Sequence, residues 1–206
     1  MIGARLAILT GLYVGVVCTA QVSANKIVKL PWQDLSAPGG TYLIGLALAL
    51  IEIAHHTAPT RREGWLNAQV MIAMGFAASA ILAAWIAIVD AMTAAVPSHF
   101  AELADTWRIV VGSLAAFAVS ETIDNAIGAW MRGRVHDAVR VVTTNAVSTP
   151  LDSLVFLSVA FGSLAFLDGQ IAAKMEATVV LGIPIVLVLR HFLGRSDEVD
   201  EGSGVK

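Results

Sequence analysis

Apolar residues run in long, almost uninterrupted blocks along this chain, and polar residues collect between them. The blocks extend from about Leu6 to Val22, Tyr42 to Ala54, Ala68 to Val89, Ile109 to Met131, Val142 to Leu167 and Ile171 to Leu193. A bilayer's hydrocarbon layer needs roughly 20 apolar residues per helical crossing, so the pattern predicts six crossings. The second block reaches that length only if it continues through His55, His56 and Thr57. The fifth is interrupted by Pro150 and Asp152, and the sixth carries Pro184. Helix is the state expected throughout, because backbone facing lipid has to satisfy its own hydrogen bonds. The strict alternation of a membrane barrel is absent.

The connections punctuate the same scheme. Pro31, Pro38, Gly39 and Gly40 mark the first, and Pro59, Arg61 and Arg62 the second. In the third, Phe100, Leu103 and Trp107 fall at helical spacing, which predicts a short helix lying at the interface. From Ser196 to Lys206 the chain is acidic and Gly-containing, the composition of a disordered tail. The expected architecture is therefore all-α: one six-helix transmembrane domain over residues 1–195, then a tail over 196–206.

Charge sets the orientation. Arg5, Arg61, Arg62, Arg132, Arg134, Arg140, Arg190, Arg195 and Lys206 fall on one side of the bundle, against Lys26, Lys29, Arg108 and Lys174 on the other. Positive residues stay on the cytoplasmic side, which places both termini in the cytoplasm and the chain in a plasma or inner membrane. Composition agrees: 57% of residues are hydrophobic and 14% charged, with a mean hydropathy of +0.75. A net charge of -3 with no basic stretch gives no footing for nucleic acid. The one cysteine, Cys18, rules out an internal disulfide framework and reads as a small packing residue.

Ionisable groups inside membrane helices are costly, and each is a functional candidate. Glu121 and Asp124 are three apart and share a helix face. Ser148 and Asp152 are four apart in the fifth block, where Pro150 frees the Ala146 carbonyl. A broken helix beside a carboxylate is a transporter's way of building a midplane site. Asn25 and Lys26 sit at the end of the first helix, where the plain alternative is a snorkelling lysine. Glu52, His55 and His56 form a further cluster, for which an interfacial hydrogen-bonded group is the simpler reading than a metal site. No metal or cofactor is expected. A phosphate-binding loop, a nucleophile elbow and a zinc-protease helix are all missing, which argues against an enzyme. Ala7, Gly11, Gly15, Thr19 and Ser23 line one side of the first helix, and small residues at this spacing let another helix approach. Packing inside the bundle is the simpler expectation for that stripe. Docking of an energising partner or a second copy is the alternative.

Three segments together carry a resemblance: Val22-Ser23-Ala24-Asn25-Lys26-Ile27-Val28, then Ser120-Glu121 with Asp124, then Ser148-Thr149 with Asp152-Ser153. In order and separation they resemble the queuosine precursor transporter family, also called the vitamin uptake transporter family, over about residues 10–190. The resemblance implies a six-helix importer of the 7-deazaguanines preQ0 and preQ1, without an ATPase of its own. Asp124, Ser148 and Asp152 match the family pattern, whereas Glu121 replaces its usual Gln and Thr144 its usual Ser. The family's acidic residue in helix two has only Glu52 as a counterpart. By this reading Asp152 with Glu121 or Asp124 accepts the N–H groups of the base. Asn25, Asn145 or Ser148 donates to its carbonyl, with Lys26 nearby, and Phe117, Trp130 or Phe156 offers a stacking face.

Overall fold

The computed structural model describes residues 2–31, 34–92, 106–131, 135 and 137–184. Six α-helices account for most of them: α1 (Ile2–Ser23), α2 (Thr41–Thr57), α3 (Arg61–Met92), α4 (Thr106–Met131), α5 (Asp137–Phe161) and α6 (Leu167–Ala177). The proposed interfacial helix before Trp107 lies largely outside the described residues, and so do the acidic tail and the end of the sixth block.

Amphipathic division of α3 explains where the bundle's inside lies. Val70, Met74, Ile81, Trp85, Ile88 and Met92 recur at helical spacing and are all at least half exposed. Ala68, Met71, Ile72, Ser79 and Ile86, on the opposite side, are buried. An exposed apolar stripe along a helix of 32 residues, about 48 Å at the usual rise, suits acyl chains and not water. Helices α1 and α3 are each long and apolar enough to cross a membrane; α2, α4 and α5 contribute shorter apolar stretches.

Two packed clusters build the interior. Tyr13 and Val17 of α1 meet Ala47, Leu50 and Ala54 of α2 and Met71 and Ile72 of α3. Ala24, just past α1, joins Ile109 and Ala116 of α4 and Phe156, Leu157 and Ala160 of α5. Cys18 lies against Ser79, Sγ to Oγ 3.8 Å, consistent with a packing role.

Three features depart from the sequence expectation. The first connection is an antiparallel ribbon, β1 (Ile27–Lys29) with β2 (Ser36–Pro38), in register Val28↔Ala37. Its β-branched Ile27-Val28 pair favours extended backbone, and Leu30 and Ala37 bury against Ala173 of α6. Helix α5 runs unbroken through Pro150, so the break expected there does not occur. It ends instead at Phe161, because Gly162 takes φ 62° and its N–H closes the helix on Ser158 O at 3.1 Å, an αL cap. Apolar continuity hid this turn, which lies inside the fifth block. The helical irregularity sits in the sixth: after α6, Thr178–Gly182 winds as a π-helix, and the Ile183 N–H reaches Thr178 O.

Gly169 lies where the ribbon crosses α6, and a Cβ there would overlap the Ser36 carbonyl. Gly169→Ala is expected to cost about 1–3 kcal/mol through forced backbone displacement, read as a fall of several degrees in the unfolding midpoint in detergent. An unchanged midpoint would mean the ribbon does not bear on α6.

Candidate functional site

Helix periodicity brings Ser148, Asp152 and Phe156 onto one face of α5. Among the described residues, the partner that Asp152 meets is a cation. It pairs with Lys174 of α6, whose Nζ donates to Asp152 Oδ2. Their side chains keep only 18% and 14% of full exposure, so the pair is largely withdrawn but not sealed. Asp152 offers only acceptors and Lys174 only donors, and together they are net neutral. That balance is what allows two charges to sit at depth, since an unpaired one would be heavily penalised. The Phe156 ring stands beside the pair, its centroid 6.0 Å from Lys174 Nζ.

The same two helices carry buried polar atoms without a partner among the described residues. Ser153 is fully buried, and its Oγ has no hydrogen-bond partner among the described residues. Gln170, one turn before Lys174 on α6, is 2% exposed, and its Oε1 is likewise unpartnered. Buried polar atoms are ordinarily satisfied. Two orphans on the residues flanking an ion pair mark a place prepared for an outside hydrogen-bonding group. Gln21 of α1 carries a third such oxygen.

Helix α6 is held firmly on its other side. Tyr42 of α2 donates its hydroxyl to Glu176 Oε2 at 2.9 Å. The Thr178 hydroxyl donates to the Lys174 carbonyl at 3.0 Å, just where the π-helix begins.

The remaining sequence candidates divide as follows. Ser148 is buried on the Asp152 face, and Asn145 is half-buried two turns earlier on α5. Asn25 is engaged structurally: Nδ2 donates to Gln21 O (3.4 Å), Val22 O (3.2 Å) and Thr106 Oγ1 (3.1 Å). It ties the end of α1 to the start of α4, so its amide N–H groups are not the free carbonyl donors expected. Lys26 is exposed at the base of the ribbon, where its carbonyl accepts the Gly39 N–H at 2.8 Å. The side chains of Glu121, Asp124, Glu52, His55 and His56 lie outside the described residues, as does that of Trp130. Phe117 packs at a tilt against Phe76, centroids 5.8 Å apart, in the cluster of α1, α2 and α3.

Lys174 is the residue that sequence reasoning assigned otherwise, as a charge outside the bundle. The signal was present. A cation four residues into an apolar stretch has to find an acceptor, and Asp152 on the preceding helix is the available carboxylate. The stripe on α1 also differs from the simpler expectation. Ala7, Gly11, Gly15 and Thr19 are exposed, and no described neighbour comes within 4 Å of a Cβ placed at Gly11 or Gly15. The α1 face used inside the bundle is the one bearing Tyr13 and Val17.

A neutral pair of opposite charges bridging apolar helices is suited to a membrane protein that handles a small polar solute. Over residues 46–190 the chain matches the family model described as "Putative vitamin uptake transporter", and it belongs to that family. The match takes in Asp152 and Lys174 and begins after Asn25 and Lys26. No curated protein and no solved structure matches the chain.

Proposed function

We propose that this protein imports a small planar heterocycle, with preQ0 or preQ1 as the leading substrates, through a polar site centred on Asp152 and Lys174. The observation that carries the reading is the Asp152–Lys174 pair bridging α5 and α6 beside the unpartnered oxygens of Ser153 and Gln170. A 7-deazaguanine presents adjacent N–H donors along its pyrimidine edge, which a carboxylate accepts in paired fashion. Phe156 supplies a ring to stack upon, and Ser148 and Asn145 extend the polar face along α5. Glu121 and Asp124, one turn apart on α4, are the further carboxylates that the family resemblance nominates to balance the cation of an aminomethyl substituent.

In this reading the chain crosses a plasma or inner membrane six times with both ends in the cytoplasm, as the distribution of Lys and Arg requires.

The test is uptake of preQ0 and preQ1 by cells that can neither make nor import them, read as restored queuosine in their tRNA. Restoration by this chain is expected; no restoration by either compound would sink the proposal.

A second reading is favoured by the outward small-residue stripe of α1, which gives a flat face for an energising subunit or a second copy. Uptake in a host that lacks any energising partner would exclude the energising subunit and leave an autonomous carrier. An intramembrane enzyme built on Glu52, His55 and His56 is the alternative from another class. Bound metal and loss of turnover on changing His55 would mark it.

A further inference from the structure

We propose that the β1–β2 ribbon is the outer flap of the transport path: hinged where it leaves α1, it lifts from α6 to admit solute toward Asp152 and Lys174 and then seats again. The inference rests on the transport reading above and deepens it by naming a part that moves.

The ribbon is fixed at one end and only seated at the other. At its base, backbone lies directly on backbone. A Cβ at Gly40 would overlap the Ala20 carbonyl, and one at Gly39 would come within 2.8 Å of the Ser23 carbonyl oxygen. The Thr41 hydroxyl donates to the Pro38 carbonyl at 2.7 Å, and the Asn25 amide donates to Thr106 Oγ1 at 3.1 Å. These contacts tie the base to the ends of α1, α2 and α4. The far end meets α6 through apolar side chains: Leu30 and Ala37 close on Ala173, and Ser36 crosses Gly169 one turn away. A seat of one leucine and two alanines buries little apolar area, so it opens more cheaply than the helix contacts beneath it. The bonds Leu30 N–H to Leu35 O at 2.9 Å and Gly39 N–H to Lys26 O at 2.8 Å lie within the ribbon. They survive its lifting as a unit.

What the ribbon sits on is the site's own stretch of α6. Gly169 and Ala173 meet the ribbon. Gln170 and Lys174, each next in sequence, point about 100° further round the helix, where Lys174 reaches Asp152 of α5. Strand β2 turns inward, with Ala37 and Pro38 buried, while all three residues of β1 are exposed. The first connection also falls on the side that the distribution of Lys and Arg assigns to the outside. An element hinged at one end and lightly seated on the site helix is placed to gate entry, and lids of this kind close over a bound solute.

Thiol labelling provides the test. Cys18 is the one cysteine, so a Cys18→Ala background makes single introduced thiols readable. Ala37→Cys puts a thiol in the seat, where Ala37 is 0% exposed, and Val28→Cys puts one on the outer strand, where Val28 is 40% exposed. Intact cells producing the full chain are treated from outside with a membrane-impermeant methanethiosulfonate. The Val28→Cys thiol is expected to react readily, and its adduct to leave uptake within about twofold of the untreated level. The Ala37→Cys thiol is expected to react more slowly, as the ribbon lifts. Saturating preQ0 or preQ1, whichever the wild-type protein takes up, should slow that reaction further by at least about threefold. The adduct in the seat props the flap and should lower uptake by at least about tenfold, with recovery on reduction. Ala173→Cys, on the α6 side of the same seat, is expected to behave alike and decides the matter where Ala37→Cys fails to reach the membrane.

A seat thiol that stays unreacted while the Val28→Cys thiol reacts and uptake continues overturns the proposal, because solute then passes a ribbon that does not lift. So does complete labelling of the seat with undiminished uptake, and so does a Val28→Cys thiol reached only from the cytoplasm. Failure of the wild-type protein to take up either compound would instead remove the transport reading, and this inference with it.

Discussion

Asp152→Ala is expected to lower preQ0 or preQ1 uptake by at least about a hundredfold. The carboxylate carries two interactions in the proposed site, the ion pair to Lys174 and acceptance of the guest's N–H groups. Removing it leaves Lys174 uncompensated at depth, a change that costs about 3–5 kcal/mol where one partner of a buried pair is deleted. Some of that cost falls on folding, so uptake by itself does not separate the two roles. The double variant Asp152→Val with Lys174→Met, of similar volume, does. Without the orphaned charge, a close-packed neutral pair is as stable as the original or nearly so, and membrane level should return to within about twofold of wild type. Uptake should stay at background. Recovery of uptake along with membrane level would show that the pair only pins α5 to α6 and that the solute binds elsewhere.

Phe156→Ala is expected to be the most damaging single change to stability. The ring is buried among Ala24, Ile109, Ala116, Leu157 and Ala160 and stands edge-on to Phe161, centroids 5.9 Å apart. Truncating a buried Phe typically costs about 3–5 kcal/mol. In a bilayer the loss is mainly one of packing, because lipid is as apolar as the protein interior. A fall of roughly 10 °C in the unfolding midpoint in detergent is the expected reading. Phe156→Leu separates packing from recognition. It preserves most of the volume and should cost less than about 1.5 kcal/mol, yet it removes the flat face. A stacking contribution of about 0.5–1.5 kcal/mol then appears as a rise of about 2- to 12-fold in the concentration needed for half-maximal uptake. Unaltered uptake by the Leu variant would leave Phe156 a core residue and nothing more.

Legibility of the structure differed from helix to helix, for physical reasons. Apolar length located α1 and α4 closely, since hydrocarbon thickness imposes the run, whereas α3 begins at Arg61, well ahead of its apolar block. The end of α5 was not located in this way. Gly162 is one glycine inside apolar sequence, and only its left-handed φ of 62° makes it a terminator. Pro150 misled in the opposite direction. A proline removes one ladder bond wherever it stands, but whether the helix breaks depends on the neighbours that support it, and α5 lies along α4 for much of its length. The ribbon at Ile27–Lys29 and Ser36–Pro38 was hidden because two three-residue strands leave almost no periodicity to read.

Asp152 and Ser148 were visible as site candidates because a polar group inside an apolar run is costly by its nature. That argument names the residue and is silent about its partner. Spacing paired Glu121 with Asp124 and Ser148 with Asp152, and it gave no sign that Lys174 lies against Asp152. The fold also turned the Asn25 amide to Thr106.

By itself, then, the order of residues determined the helical class, the apolar lengths and the expense of each buried charge, all of which depend on local sequence and the surrounding medium. Only the tertiary structure decided which cation answered Asp152, where α5 stopped and which side of α1 packs against α2 and α3. Those outcomes turn on contacts between segments far apart in the chain, and pairing energies of that kind have no periodic trace along it.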